Sequence, residues 1–350
     1  MKDFGWSFFV TAVCLALAGY WGHVSGMGIG PAVLLAAVLG VMEVSLSFDN
    51  AVVNAGVLKT MDAYWQKLFL TVGILIAVFG MRLVFPIVIV GFATGLSLPD
   101  VTMLALQNPA EYSRHLHDAY PSIAAFGGMF LLLVFLSFLI DEGKDVHWIG
   151  PVEARLAKLG KLDSAPVLVA LLVLVLVHFY MPVADDIKLS VLAAGISGVV
   201  LFIVVSSLDA LFESDSEESE GQEGGSITGA VARNGLAGFI YLEVLDASFS
   251  FDGVIGAFAV TRDVVIIMLG LAIGAMFVRS LTVHLVRRGT LDQYVFLEHG
   301  AHYGIGALAI IMIVGIVNHV SEVVTGVIGV AFIALSVVSS MIHNRKSAAG

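Results

Sequence analysis

The sequence predicts an all-α polytopic membrane protein with about ten transmembrane helices in two inverted-topology repeats of five. Three observations predict it: a very apolar composition, apolar segments of membrane-spanning length, and an acidic phrase that occurs twice inside such segments. Hydrophobic residues make up 59% of the 350-residue chain and charged residues 13%, and the mean hydropathy is +0.97. Soluble domains contain about 45–50% apolar and about 25% charged residues. The chain is therefore expected to lie in a lipid bilayer.

Apolar runs bounded by glycine, proline and charged residues indicate the individual spans. About 20 helical residues cross ~30 Å of hydrocarbon, so the chain has room for about ten helices with short loops. The expected spans lie near residues 4–22, 31–58, 66–92, 121–141, 165–181, 187–212, 227–260, 264–286, 301–317 and 323–341. The first is predicted to be an uncleaved helix, although Ala16-Leu17-Ala18 resembles a signal-peptide cleavage site, because Lys2 is balanced by Asp3.

The division into repeats follows from the span count. The first repeat is predicted at residues 1–186, and the second begins with a helix at 187–212 and continues over 227–350. Between them, residues 213–226 form an acidic cytoplasmic linker, whose composition is typical of a solvated, disordered segment. Because each half has five spans, the second half enters the membrane in the opposite orientation.

The distribution of Lys and Arg predicts the orientation of the chain. One set of loops and termini carries most of the cations, and the opposite set carries only Arg114, Lys188 and Arg262. The positive-inside rule then places both termini in the cytoplasm. The single cysteine, Cys14, excludes a disulfide or a cysteine-based metal site within one chain.

The acidic phrase is the strongest indication of function. It reads E-V-S-L-S-F-D over 43–49 and D-A-S-F-S-F-D over 246–252. A carboxylate at the bilayer centre costs roughly 2.5–3.5 kcal/mol on insertion scales, so an intramembrane acid is by default a functional-site hypothesis. Aligning Gly73 with Gly270 also places Arg82 on Arg279 in the following spans. Two such matches favour a duplicated site at the meeting of the repeats.

Helix geometry groups the polar residues of each copy. At 100° per residue, Glu43, Ser47, Asn50 and Asn54 form one oxygen-bearing stripe. Asp49 lies about 120° from it, which requires either two polar neighbours or a local helix break. The second copy has a corresponding stripe of Glu243, Asp246, Ser250 and Gly253, with Asp252 off it.

The balance of charge predicts a cationic substrate. Only two arginines, Arg82 and Arg279, can balance the charge of the five acids of the two copies, which are Glu43, Asp49, Glu243, Asp246 and Asp252. Oxygen ligands suit a hard or borderline cation such as Mn²⁺, Ca²⁺ or Mg²⁺. No tightly bound cofactor and no nucleic-acid partner is expected. The simpler interpretation is that these residues only hold helices together. The predicted metal ligands are Glu43, Asp49, Asn50, Asp246, Asp252, Glu243, Ser47, Ser250 and Asn54.

A second polar cluster lies at the predicted cytoplasmic start of the ninth span. Glu298 and His302 are one turn apart, with His299 between them. The simpler interpretation is that these are interfacial polar residues at a helix end. The functional hypothesis is that the cluster forms a gate to the predicted site.

The motifs resemble those of a known family. The phrases S-F-D-N-A-V from Ser47, S-F-S-F-D-G-V-I from Ser248 and E-H-G-A-H-Y from Glu298 are similar to those of TerC-like integral membrane proteins, in the branch carried as a domain of unknown function. The family is named for tellurium resistance, and several members are linked to manganese export. The resemblance implies metal efflux at a bacterial inner membrane. Two departures are the acidic linker and Gly253, which replaces the amide of Asn50. The implied ligands are Glu43, Asp49, Asn50, Asp246 and Asp252.

The resulting hypothesis is a transporter, not an enzyme, that exports a divalent cation, with Mn²⁺ favoured. The ion would enter from the cytoplasm, displace protons from paired carboxylates, and leave when the repeats rock. One alternative is a non-transporting membrane scaffold of a metal or tellurite stress-response complex that docks partners on the acidic linker. Another is an intramembrane aspartyl protease, although neither Asp49 nor Asp252 lies in a G-x-G-D motif.

Overall fold

The structure of the protein is a computed structural model that describes residues 2–73, 75–141, 143–144, 146–162, 164–213, 235–318 and 320–349. These residues form an all-helical fold, and none of them lies in a β-strand. The α-helices are α1 Gly5–Val24, α2 Ile29–Leu46, α3 Phe48–Thr60, α4 Ala63–Leu68, α5 Phe85–Thr94, α6 Leu98–Gln107, α7 Pro109–Ile140, α8 Gly150–Leu156, α9 Ala165–Tyr180, α10 Asp185–Glu213, α11 Gly235–Val260, α12 Val264–Arg288, α13 Thr290–Gln293, α14 Leu297–Gly315 and α15 Glu322–Ala349.

Seven described helices are long and apolar enough to cross a membrane, which makes the chain a multi-pass membrane protein. They lie in α1, α2, α7, α10, α12, α14 and α15. The segment from Ala63 to Phe92 bends by 41° and would be an eighth span if its two parts cross together. The apolar helix α9 is only 16 residues long. In α11, the acidic residues Glu243, Asp246 and Asp252 lower the apolar character of a helix of sufficient length.

The largest hydrophobic cluster of the described residues surrounds α7. This helix packs against α10, α14 and α9, and most of its apolar half is buried, including Phe130, which contacts the ring of Phe202. By contrast, α1, α9 and α15 expose many large apolar side chains, such as Phe8, Leu172 and Val327. An apolar outer surface is what hydrocarbon chains of lipid would solvate.

Two expected features differ from the structure. The fourth span was expected to begin at Pro121, but α7 begins at Pro109 and Pro121 lies inside it. Proline is tolerated within membrane helices because neighbouring groups can satisfy the backbone carbonyls it leaves free. The expected boundary at residue 187 falls just inside α10, which starts at Asp185. The predicted acidic linker begins at Glu213, the last residue of α10. The rest of the linker lies outside the described residues.

The first acidic phrase is interrupted, whereas the second is not. Helix α2 ends at Leu46 and α3 begins at Phe48, and the connecting Ser47 has φ −104° and ψ 18°. The backbone N–H of Asn50 donates to Oδ1 of Asp49 at 3.0 Å. In the second copy α11 runs without interruption from Gly235 to Val260. The local break allowed by the sequence is thus found in the first copy and not in the second.

The chain between α4 and α5 contains two π-helical stretches, Phe69–Gly73 and Ile76–Val84. The π-helix, which has a wider i→i+5 turn, is rare in proteins. Where it occurs, it is often at a functional site. Arg82 lies in the second stretch. The irregular backbone of this segment therefore marks the surroundings of Arg82 as a candidate site.

Glycines bring α2 and α12 into close contact. A Cβ atom at Gly270 would lie 2.5 Å from Cβ of Leu39, and one at Gly274 would overlap Cβ and Cγ of Glu43. Gly270 and Gly274 are four residues apart, the small-xxx-small spacing that lets membrane helices approach backbone to backbone. This contact fixes the position of Glu43 against α12.

We expect Gly274→Ala to lower the stability of the protein by about 1–3 kcal/mol, because the added methyl group overpacks the contact with Glu43. Thermal unfolding in detergent measures the effect. Gly30→Ala in α2 is the matched control, since a Cβ there meets nothing within 4 Å. Equal melting temperatures for both variants would contradict the close contact.

Candidate functional site

The two acidic phrases meet at Arg82. Its Nη2 forms a buried ion pair with Oε1 of Glu43 on α2, and its Nη1 lies 3.9 Å from Oδ2 of Asp246 on α11. Nη1 also donates to the carbonyl oxygen of Ala77 at 2.6 Å. All three charged residues are buried. One cation from the π-helical segment therefore links a carboxylate of each phrase.

Hydroxyl groups of the same two phrases complete this network. Oγ of Ser47 donates to Oε1 of Glu43 at 3.0 Å, and Oγ of Ser250 donates to Oδ2 of Asp246 at 3.5 Å. Both are i,i+4 pairs, so the helical stripe derived from the sequence brings each serine to its acid. The shared helix face thus accounts for one acid–hydroxyl pair in each copy.

Glu243 is the exception among the acids of the site. The residue is 8% exposed, its two carboxylate oxygens are buried, and neither oxygen has a hydrogen-bond partner among the described residues. Oε1 lies against Gly73 in the first π-helical stretch, where a Cβ atom would overlap it. A buried carboxylate without a partner is costly, so Glu243 indicates a place where a proton or a cation is expected to bind.

Glu243, Asp246, Arg82 and Arg279 line one small pocket, together with Asn54. The Oδ1 atom of Asn54 is buried and also has no partner among the described residues. The two arginines that align in the sequence therefore reach the same pocket. They differ in surroundings, because Arg82 faces carboxylates, whereas Nε and Nη2 of Arg279 donate to the carbonyl oxygen of Leu70 at 2.9 and 2.6 Å.

Asp49 faces a different neighbour. Its Oδ2 would lie 3.3 Å from a Cβ atom at Gly304 of α14 and 3.4 Å from one at Gly329 of α15. Asp49 is 5% exposed and does not line the pocket of Glu243. The 120° offset in the sequence thus corresponds to a second helix face. Asn50 is buried beside it with Oδ1 unpartnered among the described residues. The side chain of Asp252 lies outside what the structure describes.

The predicted gate residues do not converge on one point. The ring of His302 stacks on Phe138 at 3.8 Å, and its Nδ1 donates to the backbone oxygen of Glu298 at 2.9 Å. His299 points elsewhere, and its Nε2 donates to the carbonyl oxygen of Val146 at 2.9 Å. Glu298 and His302 line a separate pocket with Asp141. Helix spacing placed them on one turn, but the ring of His302 faces Phe138 instead of the carboxylate of Glu298.

The structure adds a buried acid that the sequence reasoning missed. Glu153 in α8 is fully buried and accepts from the amide of Ile149 at 3.0 Å and the hydroxyl of Tyr303 at 2.9 Å. Nζ of Lys144 and Nε2 of His299 each lie 3.6 Å from its Oε2. The loop was expected to determine topology through its cations. Charge patterning alone gave no indication of this network, since Lys144 contacts the acid from the same loop but His299 and Tyr303 come from α14.

Burial raises the pKa of Glu153, but the amide of Ile149, the hydroxyl of Tyr303 and the charge of Lys144 lower it by more. Its net pKa lies below the ordinary value of a glutamate. The carboxylate is therefore charged at neutral pH and holds the 144–153 loop against α14.

No group of three or more His, Cys, Asp or Glu side chains in the described part of the chain is arranged to hold a metal ion. In this conformation the guanidinium of Arg82 neutralises Glu43 and lies near Asp246, two of the predicted ligands. Metal binding by these carboxylates therefore requires Arg82 to move away from them.

These features define the class of protein: a helical, multi-pass membrane protein with a buried cluster of acids and arginines. Residues 48–347 match the profile of the family described as "Protein of unknown function (DUF475)". Because the match covers more than half of the chain, the protein belongs to the DUF475 family. The matched region includes the second phrase and both arginines, and it begins just after Glu43 and Ser47. No curated protein and no solved structure matches the chain.

Proposed function

We propose that this protein is a membrane transporter that exports a divalent metal cation, with Mn²⁺ as the favoured substrate. The observation that carries the proposal is the buried carboxylate of Glu243, which has no hydrogen-bond partner among the described residues and shares a pocket with Asp246 and Asn54. Intramembrane acids that face an internal cavity commonly mark ion pathways. Carboxylate and amide oxygens suit Mn²⁺, Ca²⁺ or Mg²⁺.

The charges around the pocket support a cationic ligand. Three carboxylates, those of Glu43, Asp246 and Glu243, stand beside the guanidinium groups of Arg82 and Arg279. If all are ionised, one negative charge is in excess, and Glu243 is the acid that no arginine contacts within 4 Å among the described residues. A proton or an arriving metal ion would supply the missing positive charge, which allows exchange of one for the other.

In this proposal Arg82 acts as a tethered counter-ion. It neutralises Glu43 while the substrate is away and withdraws when a metal ion binds to Glu43 and Asp246. Because two carboxylates are never left without a cation, the cost of burying their charges stays low throughout the cycle. Arg82 then lowers the energy barrier that the substrate-free protein crosses when the repeats rock back to their starting orientation.

The proposed architecture is two inverted repeats of five spans. Aligning the phrases places Gly40 on Glu243, and the arginine alignment places Gly270 on Gly73. Gly40 lies against Gly270, and Glu243 lies against Gly73. A pseudo-two-fold axis would exchange these two contacts, which supports the repeat. Rocking of one repeat against the other would alternate access to the pocket.

The similarity of the phrases to TerC-like proteins adds support for metal efflux and for a bacterial inner membrane with cytoplasmic termini. Asp49, Asp252 and Asn50 belong to the proposed ligand set on that basis. Asp49 lies against α14 and α15, so we propose that it serves a second position along the ion path, near Glu298 and His302.

Metal flux into inside-out proteoliposomes tests the proposal. We expect saturable uptake of Mn²⁺ that Glu243→Gln lowers at least roughly tenfold, since the substitution removes the unpaired charge of the pocket. Comparison with Ca²⁺, Mg²⁺ and Zn²⁺ under the same gradient defines selectivity. The double variant Asp49→Asn with Asp252→Asn is expected to lose uptake as well.

Asp185→Asn is the matched control, because that carboxylate is 99% exposed. Uptake that survives in both Glu243→Gln and the Asp49, Asp252 double variant would overturn the assignment of the site. Absence of flux for every metal, with the protein folded, would favour the scaffold, whose predicted dock at residues 213–226 can be deleted as a separate test.

A further inference from the structure

Two clefts of the protein share two lining residues. The pocket of Glu243 (the acidic pocket) is lined by Leu70 and Arg279, and the same two residues line a wider cleft (the outer cleft) that also includes Lys67 and Arg287. The wider cleft lies where α12 ends in Arg287 and Arg288, beside the start of α1. Arg279 and Leu70 therefore lie between an outer cleft and the acidic pocket.

The bond that joins Arg279 to Leu70 is made to a backbone carbonyl. Nε and Nη2 both donate to that oxygen, which belongs to the π-helical stretch Phe69–Gly73. No carboxylate of the described residues lies within 4 Å of the guanidinium, in contrast to Arg82. Arg279 is only partly buried. Such a contact holds the side chain in place without the electrostatic strength of a buried ion pair.

The unpaired acid of the pocket offers Arg279 a second partner. Glu243 and Arg279 line the same pocket, and Glu243 lies against Gly73 in the same π-helical stretch as Leu70. If the bond to Leu70 opens, the guanidinium can turn inward toward the carboxylate or outward toward the wider cleft. An arginine with two alternative positions can block or admit a cation by its charge as well as its size.

We propose that Arg279 is the gate between the outer cleft and the acidic pocket, and that its bond to the Leu70 carbonyl is the closed position. The inference rests on the proposed transport function, because it assigns to that site the residue that controls cation entry from one side. A transporter must close its site on one side while the other is open. The gate meets this requirement at the end of the pocket that faces the wider cleft.

Thiol accessibility tests the gate without any transport assay. The only native cysteine, Cys14, is buried in α1 and is replaced by alanine. Single cysteines are then introduced one turn to either side of Arg279 on α12, as Ala275→Cys in the acidic pocket and Val283→Cys in the outer cleft. A cationic, membrane-impermeant methanethiosulfonate reagent is applied from the side on which Val283→Cys reacts.

Both native side chains are 8% exposed. With Arg279 intact, we expect Val283→Cys, which lines the wider cleft, to react faster than Ala275→Cys. Adding Arg279→Ala should accelerate the Ala275→Cys reaction about 10- to 100-fold, the effect of losing a hydrogen bond from a charged donor. The rate at Val283→Cys should stay the same. Arg279→Lys should keep Ala275→Cys slow toward the cationic reagent, since it retains the positive charge.

An unchanged rate at Ala275→Cys in Arg279→Ala would overturn the gate, even if metal flux is normal. Acceleration at both positions would also overturn it, because it would indicate general loosening of α12. Conversely, selective acceleration in a protein that carries no metal flux would support the gate and reject the proposed substrate. The two proposals therefore fail independently.

Discussion

Arg82→Met should be the most destabilising single substitution in the membrane region, with a loss of about 3–5 kcal/mol. Removing one partner of a buried ion pair leaves an uncompensated charge, and here two carboxylates, Glu43 and Asp246, lose their shared cation. The hydrogen bond to the carbonyl oxygen of Ala77 is lost as well. Thermal unfolding of the purified protein in detergent, followed by size-exclusion chromatography of heated samples, measures the effect.

Combining Arg82→Met with Glu43→Gln and Asp246→Asn should restore most of the stability, because the neutral triple variant has no charge to compensate. Arg114→Met is the matched control, since this arginine lies exposed on α7. If the triple variant is no more stable than Arg82→Met, the buried charges are not the cause of the loss. Equal stability of Arg82→Met and the Arg114→Met control would contradict the ion-pair network itself.

Glu153→Ala should have the second-largest effect, again about 3–5 kcal/mol, because it removes the shared acceptor of a buried network. The amide of Ile149 and the hydroxyl of Tyr303 would lose their partner, and Lys144 would lose the nearest opposite charge. We expect the 144–153 loop to detach from α14, which limited proteolysis would detect. Arg155→Ala on the exposed side of the same helix is the control.

The contribution of Glu153 should also depend on pH. Its pKa is lower in the folded protein than in the unfolded chain, so its contribution is fully present above the unfolded value. That contribution is lost as the pH falls through the lower, folded pKa. The difference in melting temperature between wild type and Glu153→Gln should therefore shrink in acid. A difference that stays constant down to acid pH would show that packing, not charge, gives Glu153 its role.

The sequence predicted several parts of this site because they depend on local geometry. Serine and acid four residues apart lie on one helix face, and the pairs Ser47 with Glu43 and Ser250 with Asp246 follow directly. The off-stripe position of Asp49 likewise gave its separate helix face. The high hydropathy of the segments accounts for a multi-pass membrane protein, since about 20 apolar residues are enough to cross the bilayer.

Other features depend on which helices become neighbours, and periodicity carries no information about that. The sequence aligned Arg82 with Arg279, but only the packing placed Arg82 between two acids and Arg279 on the Leu70 carbonyl. The same holds for Glu153, whose partners Lys144, Tyr303 and His299 come from two distant parts of the chain. His302 shares a turn with Glu298, yet stacking on Phe138 decides where its ring points.

By itself, then, the sequence determined that this protein is helical and apolar and that it contains two copies of an acidic phrase. It also determined which side chains share a helix face. These follow from hydropathy and from the fixed 100° step of the helix. Tertiary structure alone decided which acid is neutralised and which has no hydrogen-bond partner among the described residues. Close packing of α2 on α12 through Gly274 fixes Glu43 within reach of Arg82, and the π-helical segment sets Gly73 against Glu243. Electrostatic pairing depends on distances of a few ångströms between helices, and those distances are set by packing.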